Sequence, residues 1–339
     1  MSRTLSTVAG ITIVAVNLWL WRVPPGNLVG NQALFNRALL LGFQTFLFAF
    51  IGFFIADSVS RFWWNRWRPV DANAVITRKV IVTLQDGRRI SGAMHEPAMP
   101  ASPASRADLV IASYGFNDNQ FRAMHVAQAL AAAGYRVFTW DYRGRGETPG
   151  KITDLEGHVA DLRGLVTHFY QAGLGSLHNL HLLGWSMGGM ASIIAGLADE
   201  RVDKIFAWST WSDLRKRVLW RIYANPFALL RYFFKGELLH VSRSMNVRVS
   251  PVHYFDTLAR CMGCKEKVVA LARDKLFLCH ARNDTLVGHD NFVENVRWLQ
   301  LPRENQITFK KGSHLMIRKE PALIGLACRH FSGTGGRTA

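Results

Sequence analysis

An apolar run, Leu180 to Leu183, and a helix-forming run, Met190 to Ala198, are separated by little more than Gly184-Trp185-Ser186-Met187-Gly188. A strand that reverses directly into a helix holds the middle residue of its turn in a strained, exposed backbone conformation. Glycines two residues to either side leave room for the crossing backbones. The turn lifts the Ser186 hydroxyl out of a sheet and sets a helix N-terminus, with its free N–H groups, beneath it. Such a position suits a nucleophile. Five loosely specified residues also recur by chance as a glycine-rich turn with a capping serine, so the context has to decide.

The surrounding chain is rich enough to build that context. It has 339 residues, 49% of them hydrophobic, enough for one large α/β domain and an added element. The net charge is +17, with the basic residues scattered rather than clustered. No nucleic-acid-binding signature accompanies them, so an anionic membrane surface is the expected partner and nucleic acid is not. Four cysteines, Cys261, Cys264, Cys279 and Cys328, are too few for a disulfide framework in a chain of this length. Cys261 and Cys264 have metal-like spacing but no second pair to complete a zinc site, so neither a metal nor a cofactor is expected.

The first seventy residues have a different character. Thr4 to Trp21 is apolar, and at about 1.5 Å per residue it reaches roughly 27 Å, near the hydrocarbon thickness of a bilayer. No small-residue cleavage site follows, so a retained anchor is expected rather than a removed signal. A second apolar span runs from Ala38 to Ala56, and the connector between them contains Pro24-Pro25-Gly26. The expectation is a two-helix membrane hairpin within residues 1–72 (spans about 4–21 and 38–56), with a buried core hairpin as the alternative. Trp63, Trp64 and Trp67, interleaved with Arg61, Arg66 and Arg68, suit a membrane interface. The distribution of basic residues places both ends on the cytoplasmic side, implying a multi-pass protein of a bacterial inner membrane with its catalytic domain in the cytoplasm.

From residue 73 to 333, β patterns alternate with helices. A hairpin turning at Asp86-Gly87 comes first, and then strands at 109–114, 135–140, 179–184, 201–208, 276–280 and 306–309 are separated by helices. This predicts a mostly parallel sheet covered on both faces, with the hairpin at its edge. Trp211 to about Lys267 breaks the alternation with amphipathic, basic helical sequence, the expected helical cap. Residues 334–339 read as a tail.

Three further segments complete the context. Asp284 falls in the loop after the 276–280 strand, and His314 in the loop after the 306–309 strand. Both loops leave the sheet edge where active sites of open α/β sheets collect. The order Ser186, Asp284, His314 is that of a hydrolytic triad. Acyl transfer also needs two backbone N–H groups to hold an oxyanion, and those of Phe116 and Met187 are the candidates.

With the Gly184–Gly188 elbow, the Asp141-x-Arg143-Gly144-x-Gly146 loop and the Asp284 and His314 segments, residues 79–331 resemble the α/β-hydrolase superfamily. Within it the chain is similar to the monoacylglycerol-lipase and serine-aminopeptidase branch. A looser likeness, through Ser209-Thr210-Trp211-Ser212-Asp213-Leu214-Arg215 and Gly312-Ser313-His314, is to the acyl-transferases of bacterial luminescence. The N-terminal hairpin belongs to neither pattern, and Tyr114 stands where many relatives carry histidine. The resemblance implies hydrolysis of an acyl ester or thioester through an acyl-enzyme on Ser186. Two alternatives stay open: an acyltransferase using the same triad, and an accessory subunit of a membrane complex, held through the hairpin, that retains the fold.

Overall fold

The computed structural model describes residues 39–48, 50–52, 73–98, 108–116, 120–151, 154–173, 179–214 and 249–333. The chain divides into two compact units between Pro69 and Val70. In the first unit, residues 39–48 and 50–52 are helical, with Leu39, Leu41, Phe48 and Ile51 exposed. The span expected at 4–21, the remainder of the second span and the Trp/Arg segment lie outside the described residues. Among the described residues no helix is long and apolar enough to cross a membrane.

The second unit is built on one eight-stranded sheet of order β1-β2-β4-β3-β5-β6-β7-β8. The strands are β1 (Val75–Thr83), β2 (Arg89–Pro97), β3 (Leu109–Ser113), β4 (Arg136–Trp140), β5 (Leu180–Trp185), β6 (Lys204–Trp208), β7 (Leu276–Ala281) and β8 (Gln306–Phe309). β1 and β2 form the antiparallel hairpin, β2 pairs antiparallel with β4, and every other pairing is parallel. Strands β3, β5 and β7 are wholly buried, as continuous apolar runs covered on both faces must be. The helices are α1 (Gln120–Ala132), α2 (Leu155–Gln171), α3 (Met187–Gly196), α4 (Pro251–Met262), α5 (Lys265–Lys275), α6 (His289–Leu299) and α7 (Glu320–Phe331).

Two details depart from the periodicity. α3 begins at Met187 rather than Met190, because the helix starts as soon as the chain has passed Ser186. Residues 251–267, expected to belong to the cap, form α4 and the start of α5, and Phe255 on α4 is completely buried in the core. Arg260, Lys265 and Lys267 give the segment an amphipathic pattern that the solvent-facing side of a core helix shares. The expected cap helices at 215–248 lie outside the described residues. Their point of attachment does not: Leu214 N donates to Ser250 Oγ at 3.0 Å, so the chain departs and returns at one place.

α2 carries a buried histidine that couples this core to pH. His158 is enclosed against Tyr142, ring centroids 4.4 Å apart, and neither ring nitrogen has a hydrogen-bond partner. Burial, with Arg145 and Arg143 nearby, pushes its pKa down to about 3. A group whose folded pKa lies below its unfolded value supports the fold above the unfolded value and loses that support as pH falls. Stability is therefore expected to decline from about pH 6.5 toward pH 3, with His158 contributing on the order of 1 kcal/mol per pH unit over that window. His158→Phe keeps the ring packing and should flatten this slope; urea midpoints of both proteins at stepped pH check it.

Candidate active site

The site is assembled at the C-terminal edge of the parallel strands. Ser186 follows β5 directly, with φ 53° and ψ −118° and its N–H donating to Trp208 O at 3.0 Å. Few non-glycine residues adopt a positive φ without a compensating reason. Here the reason is compression. A Cβ on Gly184 would lie 2.3 Å from the Gly188 carbonyl oxygen, and one on Gly188 would lie 2.2 Å from that of Ser113. Neither glycine can be replaced without moving backbone. Beside the serine, Trp185 stacks on Trp208 with centroids 5.0 Å apart, forming an apolar wall.

β3 lies next to β5, with Ser113 in register with Gly184, so the chain after β3 passes the elbow. A Cβ on Gly115 would sit 3.4 Å from the Ser186 Cβ and 3.2 Å from Trp185 Nε1. Glycine thus lets the Tyr114–Phe116 backbone come up against the serine. Tyr114 is buried and structural. Its hydroxyl accepts from Tyr142 N at 2.9 Å, its carbonyl accepts from Tyr142 Oη at 2.5 Å, and the two rings lie 4.2 Å apart. Burial, with Tyr142 and Asp141 alongside, holds the Tyr114 phenol well above its ordinary range.

Asp141, at the end of β4, fastens the same corner. Its carboxylate accepts from Gln120 N (2.9 Å), Gln120 Nε2 (3.0 Å) and Glu147 N (3.0 Å). Arg143 donates to the buried Asp161 of α2 at 2.7 Å, tying the Asp141–Gly146 loop to the helix layer. The Arg145 guanidinium lies 4.9 Å from the Phe116 ring. Of the two candidate oxyanion donors, Met187 is the first residue of α3, so its N–H has no intrahelical partner. Phe116 lies in the turn beyond Gly115.

On the other side of the elbow, β7 and β8 bring in the acidic and basic groups. Asp284 follows β7 and is buried, and its Oδ1 accepts from Leu286 N and Val287 N, both at 2.9 Å. Its Oδ2 accepts from His314 Nδ1 at 2.8 Å. Because the carboxylate can only accept there, the Nδ1 proton is fixed and Nε2 is left as the basic nitrogen. Burial pulls the Asp284 carboxyl upward, but His314 and His280 outweigh it and hold the group well below the usual carboxylate range.

Two supporting residues carry no motif of their own. The Asn283 Oδ1 accepts from both Gly312 N and Ser313 N at 3.0 Å, stapling the histidine loop to the aspartate loop. A loop asparagine whose amide meets backbone is a recurrent device, but no spacing rule says which backbone it will meet. His280, at the end of β7, donates from Nε2 to Val287 O at 2.8 Å and lies 3.4 Å from Asp284 Oδ2. Asn283→Ala would leave two N–H groups without their shared acceptor, a loss of about 1–3 kcal/mol of loop order. If the loop serves catalysis, kcat should fall roughly 10- to 100-fold with little change in KM. Asn283→Asp, which keeps an acceptor, should restore most of it; steady-state kinetics of the pair is the check.

Among the described residues no cluster of side chains could hold a metal ion, and Cys261 and Cys264 are free thiols. What the arrangement can do is proton transfer: a carboxylate-oriented imidazole at the same sheet edge as a strained serine.

Known proteins share this framework. A 90-residue stretch is 37% identical to the monoacylglycerol lipase of Mycolicibacterium smegmatis, covering 24% of this chain and 29% of that protein. Among solved structures, the esterase Pf2001 of Pyrococcus furiosus matches with a TM-score of 0.55 at 18% identity, over 79% of this chain and 94% of its own. TT1662 from Thermus thermophilus matches with a TM-score of 0.52 at 14% identity, over 76% and 98%. At these identities the structural matches establish the α/β-hydrolase fold. The sequence model described as serine aminopeptidase, S33, matches residues 104–296, more than half of the chain, and the protein belongs to that family of hydrolases.

Proposed function

We propose that the protein is a membrane-anchored serine hydrolase that cleaves acyl esters or thioesters through Ser186, His314 and Asp284. The observation that carries this is the 2.8 Å bond from His314 Nδ1 to Asp284, with Ser186 held at positive φ on the same sheet edge. The lipase and esterase named among the relatives support ester cleavage. The exposed Leu39, Leu41, Phe48 and Ile51 on the helical stretch of the first unit support a lipid environment for it. With the positive-inside distribution, the catalytic unit is placed on the cytoplasmic side, a point that protease accessibility in sealed vesicles tests.

In this mechanism His314 Nε2 takes the Ser186 hydroxyl proton as Oγ attacks the acyl carbonyl. The N–H groups of Phe116 and Met187 hold the resulting oxyanion. The protonated imidazole then gives its proton to the departing alcohol or thiol, leaving the acyl group on Ser186. A water, deprotonated by His314, attacks that ester and releases the free acid. Asp284 keeps the imidazole in one tautomer and stabilises its charged form throughout. The test is covalent labelling of the full chain in detergent with a fluorophosphonate probe. Labelling of the wild type but not of Ser186→Ala is expected, and equal silence from both would defeat the enzyme reading in favour of an accessory role.

A further inference from the structure

Beyond His314 the chain continues Leu315-Met316-Ile317-Arg318-Lys319, and Lys310-Lys311 precede it, so residues 310–319 hold four cations and no acid. Met316 is fully buried, while Leu315 and Ile317 to either side are 37% and 43% exposed. This loop is tightly constrained. Ile317 N donates to Gly312 O at 2.7 Å and Lys319 N to Met316 O at 2.9 Å. Ser313, Met316 and Arg318 all have positive φ, at 55°, 54° and 61°. Three left-handed non-glycine residues in one turn carry a conformational cost, and what they maintain is two large apolar side chains facing outward. Met316 already provides the loop's packing against the core. Lys310, Lys311 and Arg318 are exposed and make no ion pair among the described residues.

We propose that residues 310–318 seat the catalytic rim on an anionic lipid surface. Leu315 and Ile317 enter the boundary between headgroups and acyl chains, and Lys310, Lys311 and Arg318 meet lipid phosphates. Apolar tips alone would suit a groove on another protein. Flanking cations without an intervening acid suit a surface of laterally mobile negative charge. The inference rests on the hydrolase reading of this rim, because it lets a bilayer-borne acyl ester reach His314 without first crossing into water.

The test uses the full chain in lipid nanodiscs, with Cys261, Cys264 and Cys328 replaced by Ser and Ile317→Cys carrying a polarity-sensitive dye. Leu315→Cys serves as a second reporter should the first fail to fold. In discs containing phosphatidylglycerol, the dye emission should shift to the blue and be quenched by a lipid-borne quencher. Both effects should shrink in discs of phosphatidylcholine alone and with Lys310→Gln, Lys311→Gln and Arg318→Gln combined. Fully water-exposed emission from a reporter shown to be folded by circular dichroism, a blue shift without lipid quenching, or insensitivity to lipid charge would each overturn the proposal. Fluorophosphonate labelling of the same discs reports on the hydrolase reading separately: quenching without labelling sinks that reading and spares the docking, and labelling without quenching does the reverse.

Discussion

Ser186→Ala is expected to lower kcat for acyl-ester hydrolysis by roughly 10⁴- to 10⁶-fold, because the nucleophile and its base act as one unit. What survives should be the slow attack of water, helped only by bound-state geometry and the oxyanion donors. The substitution leaves the strain untouched: alanine at this position still needs φ 53° and ψ −118°. Ser186→Gly separates chemistry from backbone. It removes the same hydroxyl, so it should be as inactive, but it relieves a conformational cost of about 1–3 kcal/mol. Against this stands roughly 0.5–1 kcal/mol of extra entropy in the unfolded chain. A net gain of about 1 kcal/mol in unfolding free energy, with activity gone, is the expected pairing. Activity retained by either variant at more than a few hundredths of wild type would remove Ser186 from the mechanism.

Asp284→Asn should cost on the order of 10⁴ in kcat while leaving the fold in place. The amide oxygen can still accept from Leu286 N and Val287 N, which hold the loop through Oδ1. The amide nitrogen then faces His314 Nδ1 where Oδ2 now accepts. Two donors cannot share that contact, so the imidazole moves its proton to Nε2 and loses the basic nitrogen it needs toward Ser186. A second consequence concerns acid. The Asp284 carboxyl lies below its ordinary value of 3.8 in the folded protein, burial notwithstanding, because His314 and His280 hold it there. Such a group supports the fold above its unfolded pKa and gives up that support as pH falls below about 4. Asp284→Asn should therefore flatten the acid limb of the stability profile in that range while His158 still shapes the limb above it. Rate measurements and urea titrations on one preparation examine both effects. A variant with near-normal kcat would leave the carboxylate with a purely structural part.

The parts of the site that were legible along the chain are those made by neighbours in sequence. Gly184 announces itself because the clash it avoids, with the Gly188 carbonyl, arises where a strand turns into a helix; Gly188 shares that signature, although the backbone it makes room for is Ser113 of the neighbouring strand. Asp284 and His314 are legible because each comes just after a run of strand residues, and parallel strands deliver such loops to one edge. The alternation that predicts the mostly parallel sheet is likewise a local periodicity, repeated.

Tertiary structure decided everything that depends on what meets a side chain from elsewhere. Whether 251–267 belongs to a cap or to the core is a matter of which surface Phe255 buries, and the apolar spacing is the same in either case. Along the chain, Tyr114 is only a residue standing where many relatives carry histidine. Its contacts with Tyr142, 28 residues away, make it the clamp that holds Gly115 against the serine. Asn283 and His280 bind backbone that the chain reaches only after folding, 29 residues on for Gly312 and 7 on for Val287. Backbone amides are chemically uniform, so a sequence shows which side chains can reach for one but never which one they will find. The sequence by itself determined the fold class and the order of the chemical groups; the close contacts that orient them came from packing alone.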